Sequence, residues 1–193
     1  MRYAIAKFSA SGKATGKKDL GQIAMAYGNV YVAQVAMGAN MTQVIKAFAE
    51  AEAHHGPSLI IAYSPCIAHG IDMAEQMSHQ KMAADSGYWP LYRFDPAADA
   101  ASGRGFRLDS SPPKVPFREF AVREARFGLL ARSQPGRSSE LLAQAQHDID
   151  SRWQLYEQMV GVHRSAPDED EPATAAAPSA APNAAPNTEG GAP

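Results

Sequence analysis

Hydrophobic and polar positions along the chain follow two different periods. Leu20, Ile23, Ala24 and Tyr27 fall three or four residues apart, the spacing of one helix face, with Asp19 placed to cap the first turn and Gly28 to close the last. In NVYVAQVAMG the period changes. Val30, Tyr31, Val32 and Val35 are β-branched or aromatic, which predicts a buried strand that ends by Gly38. The segment MTQVIKAFAEAEAHHG returns to the helical period through Met41, Val44, Ile45 and Phe48, with Thr42 near its start and Gly56 as its stop. PSLIIAY is then a continuous apolar run of the kind buried on both faces. Strand, helix of about three turns, strand is the βαβ unit of a parallel sheet, so the expected class is α/β.

The second half of the chain is more helical. A Met-rich helix is expected between Gly70 and Gly87, with Met73, Met77 and Met82 packing one side. YWPLYRFDP reads as a short extended segment, demoted from the sheet interior by Pro90. Residues 95–117 are rich in Gly, Pro and Ser and predict an excursion over the surface. Two helical segments follow, over 117–133 and 138–160. In the second, Leu142, Ala145, Ile149, Trp153, Tyr156 and Val160 form an amphipathic stripe that predicts core or subunit packing.

Composition separates off a tail. The last 29 residues, from Ser165, hold six of the 14 prolines, five acidic side chains, no basic one and no aromatic. Such a segment buries too little apolar surface to offset its ordering entropy, and a disordered spacer is expected. The residues before it carry 18 basic against 15 acidic side chains, too mild an excess to argue for nucleic acid. The expected division is 1–96 as an α/β unit, 97–164 as a surface loop and C-terminal helices, and 165–193 as the tail. No apolar run reaches the length of a membrane span, and Lys7 breaks the short apolar patch at the N-terminus, so no membrane and a cytoplasmic protein are expected.

Cys66 is the chain's one cysteine, which excludes an intramolecular disulfide. It stands a few residues beyond the apolar run SLIIAY, where open α/β sheets place their ligands. Composition alone favours a small buried packer at such a position.

Three phrases in order, TGKKDLGQIAMAYGNVYVAQVAMGAN, GPSLIIAYSPCIAHGI and SGYWPLYRFDP, resemble the C-terminal region of the pyruvate:ferredoxin (flavodoxin) oxidoreductases. The resemblance runs from about Ala6 to Met159. It implies the distal half of a thiamine diphosphate-binding domain, a partial parallel-sheet fold with a C-terminal helical extension. In that family the phrase matching AYSPCIAHG supplies a cysteine ligand to the [4Fe-4S] cluster nearest the thiamine, so the resemblance assigns that role to Cys66. It places the family's other three ligands, and the GDG motif that serves Mg2+ and the diphosphate, upstream; neither a GDG nor a CxxC pair occurs in this sequence. The implied activity is oxidative decarboxylation of pyruvate to acetyl-coenzyme A, with electrons passing to ferredoxin or flavodoxin. On this reading the chain is incomplete alone, needs the remaining polypeptide, and forms homo-oligomers when completed.

Other motifs carry less. Gly12-x-x-x-Gly16-Lys17-Lys18 is one residue short of a phosphate loop and lacks the hydroxyl residue after the lysine, so it reads as a solvated basic loop. His54 and His55 read as the polar end of a helix. His69, three residues after Cys66, is placed to tune a cluster through a hydrogen bond, or to be a plain loop histidine; His79 shows no metal-ligand spacing. Asp72, Glu75 and Asp85 read as a solvated face. Two other readings stand beside the oxidoreductase one: a non-catalytic interaction module keeping the βαβ core, and a thiol sensor with Cys66 at a helix N-terminus.

Overall fold

The computed structural model describes residues 14–16 and 18–162. Asp19 caps α1 (Leu20–Met25) by accepting a hydrogen bond from the Gln22 amide at 3.1 Å, and Gly28, at φ 77°, turns the chain out of it. β1 (Tyr31–Val35) follows. The next helix, α2 (Met41–Ala53), is capped by Asn40 rather than Thr42, and it stops at His54, whose extended backbone precedes Gly56 by two residues. β2 (Ser58–Ala62) then pairs parallel to β1, with Tyr31 opposite Ser58 and Val35 opposite Ala62. The expected βαβ unit is present.

The sheet is mixed. β3 (Tyr92–Phe94) runs antiparallel to β1, and β4 (Phe106–Leu108) antiparallel to β3, giving the order β2-β1-β3-β4 with one parallel pair. Two expectations are corrected here. Pro90 does not push its segment to the edge: β3 lies inside the sheet with all three residues buried, because the proline precedes the strand and removes none of its ladder donors. β2, expected to be buried on both faces, is the edge strand; Ser58 and Ala62 are exposed and Leu59, Ile60 and Ile61 half-buried. The apolar run reads as interior, but β1 is its one neighbour among the described strands.

The Gly/Pro-rich excursion also contains regular structure. Asp95 caps α4 (Pro96–Ser102), accepting from the Ala97 amide at 2.9 Å, and Gly103, at φ 66°, releases the chain into β4. A 3-10 turn (Met73–Glu75) leads into α3 (Gln76–Asp85), whose buried face is His79, Gln80 and Ala83. The methionines do not share that face: Met82 packs on the core, while Met77 is exposed. The expected helix over 117–133 is two, α5 (Phe117–Ala121) and α6 (Ala125–Ser133), broken at Glu124. α7 (Pro135–Val160) buries Ala145, Ile149, Trp153 and Tyr156, so its stripe is core, with Leu142 half-buried and Val160 exposed. The tail over 165–193 lies outside the described residues, as do Gly12, Lys13 and Lys17 of the Gly/Lys loop.

β1 is buried on both faces. Tyr31, Ala33 and Val35 pack on Val44 and Ala47 of α2, while Val32 joins Tyr92, Phe94, Phe106 and Tyr156 on the other side. Beyond the sheet, α3, α5, α6 and α7 enclose a larger cluster around Tyr88, Trp89, Phe117, Phe120, Phe127 and Leu130. The outer stripe of α2 is apolar and uncovered: Met41, Ile45 and Phe48 are 47%, 64% and 56% exposed. Tight packing recurs at Gly38, where an added Cβ would lie 2.2 Å from the Met77 carbonyl oxygen. Gly38→Ala is expected to lower stability by about 1–3 kcal/mol, since backbone must move, and a shifted urea midpoint checks it. Among the described residues no helix is long and apolar enough to cross a membrane.

Candidate functional site

The parallel pair sets the site. β1 and β2 end side by side at Val35 and Ala62, and the Val35 carbonyl accepts two hydrogen bonds at 3.0 Å, from the Tyr63 amide and from the Trp89 indole. Tyr63 is thereby fixed as the first residue past the strand, its ring edge-on to Trp89 with centroids 5.2 Å apart. From there the chain runs outward through Ser64 and Pro65 to Cys66. The thiol is free and exposed. Cys66 is extended and precedes a single 3-10 turn, Ile67–His69, closed by Gly70 at φ 72°. The turn buries none of its residues, and Ile67 is 74% exposed.

Exposure overturns the buried-packer alternative for Cys66. The thiol-sensor reading loses its physical basis too, because a three-residue turn lacks the aligned peptide dipoles of a helix terminus. His69 bonds the Cys66 carbonyl through its backbone amide at 2.9 Å. Burial, with Arg126 nearby, holds its imidazole below the ordinary histidine pKa. Among the described residues no group of three or more His, Cys, Asp or Glu is arranged to hold a metal ion. A [4Fe-4S] cluster takes four ligands, so the donor set here fits one corner of such a group and no more. His54 follows the last residue of α2, but its imidazole lies 3.1 Å from the Asn29 carbonyl just before β1, not on a carbonyl of its own helix. Asp72 caps the Ala74 amide, and Asp85 pairs with Lys81 at 2.7 Å.

Behind the loop lies a feature that sequence reading missed. Glu124, fully buried, accepts a hydrogen bond from the Tyr63 hydroxyl at 3.1 Å and has His79 Nε2 2.9 Å from the same oxygen. Its other oxygen pairs with Arg126, which also donates to the Tyr88 hydroxyl at 3.1 Å. Burial alone would raise the Glu124 pKa; the His79 hydrogen bond and the Arg126 charge outweigh it and hold the carboxyl below its ordinary value. Burial, reinforced by the Glu124 charge, pushes the Tyr63 hydroxyl well above the usual tyrosine range. The signal was present in the sequence: Phe117, Phe120, Glu124 and Phe127 share one helical spacing, so a carboxylate falls on an apolar face.

The fold and the thiol thus define an α/β piece that carries a free, exposed cysteine just past the carboxyl end of a parallel strand pair. Comparison with known proteins specifies the family. No family model matches the chain. It is 53% identical over 156 residues to a protein of Synechocystis sp. named putative pyruvate-flavodoxin oxidoreductase, covering 81% of this chain but 13% of that relative. It is 47% identical over 156 residues to the pyruvate:ferredoxin oxidoreductase of Moorella thermoacetica, again covering 81% of this chain and 13% of the relative. It is 44% identical over 158 residues to the mitochondrial pyruvate dehydrogenase [NADP(+)] of Euglena gracilis, of which it covers 9%. The resemblance read from the three phrases is therefore upheld: the chain corresponds to one segment of the pyruvate-flavodoxin oxidoreductases, a small share of the length of those proteins.

Proposed function

We propose that the chain serves as the C-terminal part of a pyruvate:ferredoxin (flavodoxin) oxidoreductase, in which Cys66 ligates one iron of a [4Fe-4S] cluster. The observation that supports this best is the exposed thiol at the carboxyl end of β2, on a loop that carries no other metal-ligating set. A thiolate is a soft donor suited to iron-sulfur clusters. Three further cysteines, together with thiamine diphosphate, Mg2+ and the site for coenzyme A, then belong to the remaining polypeptide. The cluster supplies one-electron transfer; this chain's part is to hold one ligand in place and to wall the site. Ferredoxin or flavodoxin is the proposed acceptor, and the cytoplasm the proposed compartment.

Co-expression of the full chain with the remaining polypeptide of a relative tests the reading. The two should copurify, brown in colour and with iron and acid-labile sulfide. A chain that stays apart, or a colourless complex, overturns it. The uncovered apolar stripe of α2 favours a second reading, an interaction module without chemistry. A stable complex in which this chain leaves cluster content unchanged selects that alternative.

A further inference from the structure

The loop that carries Cys66 has little of its own to hold it. Its internal backbone bonds are those of one turn, His69 to the Cys66 carbonyl and Gly70 to the Ile67 carbonyl at 2.8 Å. Both flanks instead meet the same short stretch of chain, about 60 residues later. On the entry side, Tyr63 donates its hydroxyl to Glu124. On the exit side, Gly70 lies so close to Ala125 that an added Cβ would fall 2.4 Å from the Ala125 Cβ. Glu124 is held in turn by His79 on α3 and by Arg126, and His79 is packed against Phe120, ring centroids 4.9 Å apart.

We propose that the Glu124–Arg126 turn, through Tyr63 on one flank and Gly70 on the other, is the positioning element that fixes the Cys66 loop. The proposal deepens the cluster-ligand reading and rests on it for its purpose, though not for its geometry. A buried carboxylate held by a guanidinium and an imidazole is a poor way to gain stability, because an apolar replacement of similar shape often does as well; directional bonds that fix one arrangement are what it adds. Glu124 acts here through Tyr63 and is not itself a ligand.

The test uses the full chain and two changes on the flanks, the conservative Tyr63→Phe and the disruptive Gly70→Ala, which adds a Cβ at a positive φ, so that it does not depend on Glu124→Gln folding. Amide exchange of Tyr63, His69 and Gly70 should speed up by about tenfold in Tyr63→Phe, the loss of one hydrogen bond to a charged acceptor, while Val32 and Ala33 in β1 stay within about twofold. Gly70→Ala should accelerate the same loop amides. Loop amides that change no more than those of β1, whether because nothing moves or because the whole molecule loosens, overturn the proposal. In the complex with the remaining polypeptide, Tyr63→Phe should keep its iron but shift the cluster's EPR spectrum; an unchanged spectrum overturns the positioning role. Cys66→Ser separates the two readings: if it leaves cluster content intact, the ligand assignment fails, whereas the exchange result in the free chain stands or falls independently.

Discussion

Cys66→Ser is expected to leave the chain folded and able to join the remaining polypeptide, yet to lower the iron and sulfide of one cluster by about tenfold or more. The reasoning starts from the softness of the donor: a hydroxyl holds iron in such a cluster far less well than a thiolate, and even changes one shell further out typically cost about 10–100-fold in metal affinity. Stability should move by no more than about 0.5 kcal/mol, because the side chain is exposed and the turn that follows it buries nothing. Iron and acid-labile sulfide assays, with EPR to identify the affected cluster, give the answer. Full cluster content in the serine variant would remove Cys66 from the ligand set.

Glu124→Gln is expected to cost about 3–5 kcal/mol near neutral pH, the usual penalty for taking one partner out of a buried charged group. Gln keeps the shape and can still accept from Tyr63, but it leaves Arg126, only 18% exposed, without its countercharge. The pH dependence gives an independent check. Because the folded-state pKa of Glu124 lies below its ordinary 4.5, its contribution is fully present above that value and is lost as pH falls through the lower folded value. The stability gap between wild type and Glu124→Gln, from urea unfolding at a series of pH values, should therefore narrow in acid. A gap that stays constant would place the charge of Glu124 outside the balance.

The βαβ start was legible because its signals are local. Asp19 and the periodicity from Leu20 foretold α1, and the β-branched run of β1 foretold a strand that the structure buries on both sides. Legibility failed where the outcome depends on neighbours. LIIA is equally apolar in the middle or at the rim of a sheet, and only the strand order makes β2 an edge. Met41, Ile45 and Phe48 have core spacing, yet Gln43, Val44 and Ala47 are the buried residues of α2, because Gln43 finds polar partners in the Gln34 carbonyl and Asp109. For the site, Cys66 was legible as the single thiol beyond an apolar run. Its supports were not: Tyr63, His79, Glu124 and Arg126 are spread over 64 positions and no local pattern joins them.

The Tyr156 hydroxyl near the end of α7 donates to the Asp19 carboxylate, the group that caps α1, across 137 positions of sequence. α1 is therefore completed by a residue made 137 positions later. At ordinary synthesis rates the intervening residues take roughly 7–27 s to translate, so α1 waits that long unsealed. An emerging polypeptide of this design has a window in which a ribosome-associated chaperone can bind before α1 and α7 meet.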